Sequence, residues 1–191
     1  MSHATLPTAP PSAAPLHVVV VGAGPAGMQA AWNAAASGAR VTLVDAAPTL
    51  GGQIWRGEQA PSRSGMALFE KLRRSNVRLL FGCPVVDAPQ PGMLLGVLRG
   101  QPQWLAYDRL ILATGARELF LPFPGWTLPN VFGAGGIQAL AKGGLDLKGK
   151  RVVVCGSGPL LLSVAAYLRR KGAEIPVLAE QATLASLVRF T

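Results

Sequence analysis

The chain has 191 residues, 50% of them hydrophobic and 14% charged, a balance that describes a packed globular protein rather than a disordered one. Its two cysteines, Cys83 and Cys155, exclude a disulfide scaffold or an all-cysteine iron–sulfur cluster within the chain. His3 and His17 alone argue against a histidine metal site or catalytic triad. The formal charge of +9 is spread along the chain, and its densest groups, Lys71–Arg74 and Arg169–Lys171, close predicted helices. Cations there complement the helix dipole, and no interleaved aromatics offer base stacking, so nucleic acid is not the expected partner.

Residues 1–15 are rich in proline, alanine and serine and contain no lysine or arginine, which reads as a disordered tail rather than a signal peptide. An apolar strand from Leu16 to Val21 then meets Gly22-Ala-Gly24-Pro25-Ala26-Gly27, a helix through Ser37, and a second strand, Arg40–Asp45. This is the glycine pattern of a dinucleotide site. Gly22 makes the tight turn, Gly24 admits a pyrophosphate to the backbone, and Gly27 lets helix pack on strand. The helix N-terminus faces the anion, and Asp45, 23 residues beyond Gly22, suits a ribose hydroxyl.

A loop with paired glycines comes next, Gly51-Gly52-Gln53-Ile54-Trp55-Arg56, and then a predicted helix from Gly65 to Ser75. Val77–Phe81 reads as a strand ending in the Gly82-Cys83-Pro84 turn. Val85-Val86, Met93–Leu98 and Trp104–Tyr107 read as a small antiparallel meander. Leu110–Ala113 reads as a buried strand entering Thr114-Gly115. Both cysteines read as packed or incidental thiols rather than catalytic ones, Cys83 in its turn and Cys155 at the end of a buried strand.

The nucleotide-binding opening then recurs. Arg151–Cys155 is a strand, Gly156-Ser-Gly158-Pro159-Leu160-Leu161 the turn, Leu162–Lys171 a helix, and Ile175–Glu180 a second strand ending in an acid. Val152–Leu168 is uncharged, but Gly156–Pro159 interrupts it, so strand–turn–helix accounts for it better than a membrane span. The expected setting is cytoplasmic.

Gly22–Gly27, Gly51–Trp55, Ala113–Arg117 and Gly156–Pro159 occur in the order found in the two-dinucleotide-domain flavoproteins, the pyridine nucleotide-disulfide oxidoreductase superfamily, which the chain resembles from Leu16 to about Arg189. Within it, the Gly-Gly-Gln-Ile-Trp-Arg loop and Pro124–Gly136 are most similar to the group formed by the A subunits of opine oxidase and the B subunits of hydrogen cyanide synthase. The resemblance implies a Rossmann-like FAD-binding domain with a β-meander over residues 16–118, and a second, incomplete Rossmann-like unit over 119–191. It implies that Gly22, Gly24, Pro25, Ala26 and Gly27 cradle the FAD pyrophosphate and that Asp45, more often glutamate in such proteins, binds the adenosine ribose. Val85 would meet the adenine edge through its backbone, and Gly52 and Gln53 would lie along the flavin. Ala113, Thr114 and Gly115 would close the site.

Two features depart from that pattern. Leu161 stands where the third glycine belongs, so the second helix should be displaced and the unit should be a structural relic rather than a working NAD(P) site. Glu180 would suit a ribose diol and oppose a 2′-phosphate. The chain also lacks the Gly-Asp pair that returns to the flavin ribityl chain in the superfamily. The expectation is an FAD-dependent oxidoreductase component acting on an amine, amino acid or opine beside a second subunit, weak in holding flavin alone. The alternatives are an NAD(P)H-linked flavin reductase and a non-catalytic nucleotide-binding or interaction subunit. No catalytic acid, base or nucleophile is named by the sequence, and the redox cysteine pair of disulfide reductases is absent after Gly51-Gly52.

Overall fold

A computed structural model describes residues 14–56, 63–183 and 185–186, so most of the proline-rich tail lies outside the described residues. The chain forms two compact units, the first ending at Gly115 and the second beginning at Ala116.

In the first unit, β1 (His17–Val21), α1 (Pro25–Ala36) and β2 (Arg40–Asp45) follow one another as a strand–helix–strand crossover. Then come α2 (Arg63–Arg74), β3 (Arg78–Phe81), the meander strands β4 (Val85–Gln90), β5 (Met93–Leu98) and β6 (Gln101–Ala106), and β7 (Arg109–Leu112). The parallel sheet has the order β3-β2-β1-β7, and β4-β5-β6 form a separate antiparallel sheet.

The alternation of side chains along β1 sorts the core into two layers. Val18 and Val20 point to the helices, where they join Leu43 of β2, Met28 and Ala31 of α1, and Leu68 and Leu72 of α2. Val19 points the other way, with Val44 and Leu80, onto Cys83, Leu94 and Leu105 of the meander side. Both faces of β1 and β2 are thus covered, as parallel strands require, and their sequences are near-continuous apolar runs. One residue of slip would exchange the two layers.

The edge strand behaves differently. Among the described residues β7 pairs only with β1, and Leu112 is 69% exposed, so Leu110–Ala113 is not the buried strand that its composition suggests. Apolar composition reports the strand's partner on one side and says nothing of the other.

The second unit holds α3 (Ala134–Lys142), β8 (Arg151–Gly156), α4 (Leu160–Arg170) and β9 (Glu174–Glu180). Helix α3 escapes a reading of the sequence because Gly135 and Gly136, poor helix formers, mask the Ile137, Leu140, Ala141 face. Ile137 and Ala141 pack with Leu161, Val164, Ala165, Tyr167 and Leu168 of α4 and with Val154 of β8. Among the described residues nothing covers the other face of the two-stranded parallel sheet. Val153 and its register partner Val177 are 60% and 47% exposed. Cys155, two positions along the same face, is exposed, so of the two readings, packed or incidental, exposure removes the packed one.

Two expectations arise from these layers. The open β8–β9 face favours self-association, so Val153→Glu should shift the chain toward monomer in size-exclusion chromatography; an unchanged elution profile would show that this face is not the sticky one. His17 gives the second. Its Nε2 lies 2.9 Å from the hydroxyl of buried Thr42, and burial, followed by the charge of Arg40, holds its pKa below the usual 6.5. The unfolded chain therefore binds a proton more readily, and stability is lost as pH falls below 6.5 toward the lowered folded value. His17→Gln should flatten that part of the thermal-denaturation profile relative to the unsubstituted chain.

Candidate functional site

The site grows from the carboxyl end of β1. Val21 pairs with Val44, which sets Gly22 opposite Asp45, and the Gly22 N–H donates to the Val44 carbonyl at 2.8 Å. Gly22 has φ +105°, a conformation that glycine adopts without strain, and a Cβ there would strike the Ala113 carbonyl oxygen. A Cβ on Gly27 would strike the Gly22 carbonyl oxygen and lie 3.2 Å from the Ala113 Cβ. Helix α1 therefore approaches β1 and the end of β7 as closely as backbone allows.

Gly24 is different. Its backbone is extended (φ −72°, ψ 178°), and a Cβ built on it meets nothing within 4 Å. Neither strain nor packing demands glycine at 24. Its lack of a side chain leaves open space over the N-terminus of α1. The first helical bond runs from Met28 N–H to the Gly24 carbonyl, so the Ala26 and Gly27 N–H groups precede the ladder. Pro25 has no N–H to satisfy, and no acid in the first turn neutralises the helix's positive end.

Asp45 closes the turn from the side. One carboxylate oxygen accepts from the Ala23 N–H at 2.5 Å and the other from the Ala47 N–H at 2.7 Å. Each oxygen keeps a lone pair for a further donor. The Asp45 carbonyl in turn accepts from Cys83 N–H at 3.0 Å, and the Ala47 carbonyl from Gly82 N–H at 3.0 Å. The acid thus joins the glycine loop to the turn that leads into β4.

That turn fixes Val85. Val97 N–H donates to the Pro84 carbonyl at 3.0 Å, which makes 84 and 97 the bonded pair and 85 opposite 96 the unbonded one. The N–H and C=O of Val85 therefore point away from β5, and β4 is an edge of its sheet. Sequence reasoning misses Gly96. Its Cβ would lie 2.6 Å from the Cys83 sulfur, so this glycine makes room for the thiol, and a lone glycine inside a strand is the signal. Burial pushes the Cys83 thiol above its ordinary pKa, which makes it a packing group.

The paired-glycine loop docks on the same turn. Gly51 N–H donates to the Ala23 carbonyl at 2.8 Å, and a Cβ on Gly52 would lie 2.9 Å from the Gly24 Cα. Trp55 anchors the loop, edge-on to Phe69 of α2 at 5.6 Å. Gln53 lies exposed on the turn between them. Ala113 is tied to Val21 by a 2.8 Å backbone bond, and Thr114 and Gly115, the latter at φ +72°, are exposed beyond it. The structure therefore brings Gly22, Gly24, Gly27, Asp45, Gly52 and Ala113 to one turn, with Val85 linked to it through Cys83. A shallow hollow of about 130 Å³ lined by His17, Arg40, Tyr107 and Asp108 sits at the opposite, N-terminal ends of β1 and β2. Ligands of open parallel sheets bind at the carboxyl ends, so this hollow is not the candidate site.

The second unit repeats the plan with several changes. Glu180 accepts from Ala182 N–H at 2.9 Å, as Asp45 does from Ala47. Its loop donor is Gly158 N–H at 3.0 Å, two residues past the first glycine, where Asp45 takes Ala23, one residue past. The backbone donors on Glu180 lower its pKa, the Ala182 bond most. The spacing from glycine to acid is one residue longer, yet Gly156 still pairs with Glu180. The register passes from 151 with 174 to 153 with 177, so a bulge at Ile175-Pro176 absorbs the extra residue, where proline has no ladder N–H to lose. The glycine turn itself differs. Gly158, the counterpart of Gly24, has φ +99°, and α4 begins at Leu160, a residue later than α1 relative to its first glycine. Leu161 is buried under the turn, its Cδ2 3.2 Å from where a Gly156 Cβ would stand. A leucine fills the space that Gly27 leaves for backbone in the first unit.

Residues 16–189 match the family described as pyridine nucleotide-disulphide oxidoreductase. The chain is 36% identical, over 91% of its length, to hydrogen cyanide synthase subunit HcnB of Pseudomonas protegens and spans 40% of that protein. It is 38% identical, over 79% of its length, to the A subunit of opine oxidase from Agrobacterium tumefaciens and spans 34% of it. Among solved structures, L-proline dehydrogenase from P. horikoshii shares the fold with a TM-score of 0.68 at 22% identity, over 87% of this chain and 35% of that one. A pyridine nucleotide-disulfide family oxidoreductase from Enterococcus faecalis V583 gives 0.62 at 24% identity, over 85% of this chain and 36% of that one. With its two strand–glycine turn–helix units, each closed by an acid, and with this match along nearly all its length, the chain belongs to the pyridine nucleotide-disulphide oxidoreductase family of flavin-dependent oxidoreductases.

Proposed function

We propose that the first unit holds the adenosine and pyrophosphate of FAD, and that the chain is a component of an oxidoreductase that oxidises an amine, amino acid or opine. The observation that carries the cofactor assignment is the open space over Gly24 at an un-neutralised helix N-terminus, flanked by the Asp45 carboxylate. A pyrophosphate fits there because it needs backbone approach, free N–H groups and positive potential, and the turn supplies all three.

That placement and the family resemblance together support the following residue roles. The Ala26 and Gly27 N–H groups donate to phosphate oxygens, and Gly52, packed on Gly24, closes the cradle from behind. Asp45, held by Ala23 and Ala47, offers its remaining lone pairs to the ribose diol. The outward N–H and C=O of Val85 suit the adenine edge; the family resemblance assigns Gly52 and Gln53 to the flavin side, and Ala113, Thr114 and Gly115 to the closure of the site. When bound, FAD supplies the hydride acceptor; the chain's own groups bind and orient it. The substrate class rests on the names of the relatives, opine oxidase and hydrogen cyanide synthase subunits, and those names also favour a partner chain. No helix among the described residues is long and apolar enough to cross a membrane.

A second reading, an NAD(P)H-linked flavin reductase, is favoured by Glu180, which like Asp45 accepts from a backbone N–H of its own glycine loop, here that of Gly158. The altered turn opposes it. With Gly158 at φ +99° and Leu161 beneath, the second helix start is displaced from where a pyrophosphate would meet it.

Gly24→Val separates binding from folding, since the extended backbone and empty surroundings accept a side chain in the free protein. FAD binding, read by flavin fluorescence quenching, should fall at least tenfold with the melting temperature unchanged; undiminished affinity would remove the site assignment. Titration with NADH or NADPH should give no saturable signal below millimolar concentration. Tight NADH binding followed by bleaching of the flavin absorbance would replace the oxidase reading with the reductase one.

A further inference from the structure

Helix α3 begins in a third glycine-rich turn, Gly133-Ala-Gly135-Gly136, and a group of the chain itself fills it. The Oε2 atom of Glu118 accepts from Gly135 N–H at 2.9 Å and lies 3.4 Å from Gly136 N as a second donor. Gly133 is the N-cap and has no side chain to cap with, and the first turn holds no acid, so this carboxylate is the anion at the helix's positive end.

One of the surrounding glycines makes room for it. Gly133 has φ −64° and ψ 149°, a conformation open to any residue, yet a Cβ there would strike Glu118 Oε2 where that carboxylate sits. A Cβ on Gly135 would be in ordinary contact with the same oxygen at 3.4 Å, and one on Gly136 would meet nothing within 4 Å.

Between Glu118 and Gly133 run 14 residues without a charge. Within them Phe120 stands edge-on to Phe123 at 6.1 Å and near Trp126 at 5.8 Å. Leu119, Leu121 and Leu128 are 82%, 65% and 61% exposed. A loop of this length with joined ends and its own small aromatic cluster is an Ω-type loop. We propose that Glu118 is a latch that closes the 119–132 loop onto α3, with Gly133 leaving room for its carboxylate and the Gly135 N–H holding it, so that the loop displays its leucines in one conformation. This rests on contacts within residues 118–136 and is independent of the cofactor assignment.

Limited chymotrypsin digestion of the full chain, with amide hydrogen exchange at Gly135 and Gly136, tests the latch. Phe120, Trp126 and Phe132 are not followed by proline and report loop opening. Glu118→Ala should raise cleavage at these sites and exchange at both amides about fivefold, as loss of a helix cap implies. Glu118→Gln, which keeps an acceptor oxygen without the charge, should fall between. Gly133→Ala should mimic Glu118→Ala by evicting the carboxylate and add nothing in the double variant. Unchanged cleavage and exchange in Glu118→Ala, or single effects that multiply in the double variant, would overturn the proposal. Should Gly133→Ala fail to fold, exchange in Glu118→Ala decides alone.

Discussion

The first unit is organised around one carboxylate. Asp45 takes the Ala23 N–H on one oxygen and the Ala47 N–H on the other, and its carbonyl takes the Cys83 N–H. Three turns therefore meet at a single residue: the glycine loop after β1, the bend after β2, and the bend that enters the meander. Hydrogen bonds to a charged acceptor are stronger than neutral ones, and these hold loops rather than a ladder. Removing the carboxylate would free the glycine loop, whose shape is the feature a pyrophosphate reads.

Close packing supplies the other half. Gly27 lies under the Gly22 carbonyl and against Ala113, so helix, first strand and edge strand meet with almost no side chain between them. This presses the helix N-terminus to the surface beside Gly24. The second unit shows the consequence of dropping that condition. Its acid is in place, kept opposite Gly156 by a bulge at Ile175-Pro176, and it grips the loop through Gly158. Yet Leu161 occupies the space under the turn, the helix starts later, and the second glycine turns to positive φ. Acid and glycine turn are thus separable parts: the second unit has an acid gripping the loop without the turn of the first unit.

Much of the fold was legible because period and punctuation were clear. The apolar runs of β1 and β2, the glycine turn between them and the β5 strand Met93–Leu98 have the same bounds in sequence and structure, or nearly so. The departure at Leu161 was also legible, since a branched residue cannot occupy a backbone-to-backbone contact. Less legible were features set by neighbours in space. Among the described residues Leu112 is exposed at the β7 edge and Cys155 on an uncovered face of β8, and α3 was hidden by Gly135 and Gly136 in its first turn.

By itself the sequence determined which backbone turns were possible: glycine where a side chain is forbidden, an acid at a set distance, strands whose composition demands cover. Those are local properties, fixed by sterics and by a period of about two or 3.6 residues. Only the tertiary structure decided what each group touches. It placed Asp45 on Ala23 and Ala47, turned the Val85 backbone away from β5, made Gly96 a berth for Cys83, and set Glu118 on the start of α3. The physical reason is that hydrogen-bond partners and van der Waals contacts are chosen by proximity in space, which chain spacing constrains at a turn and leaves open beyond it.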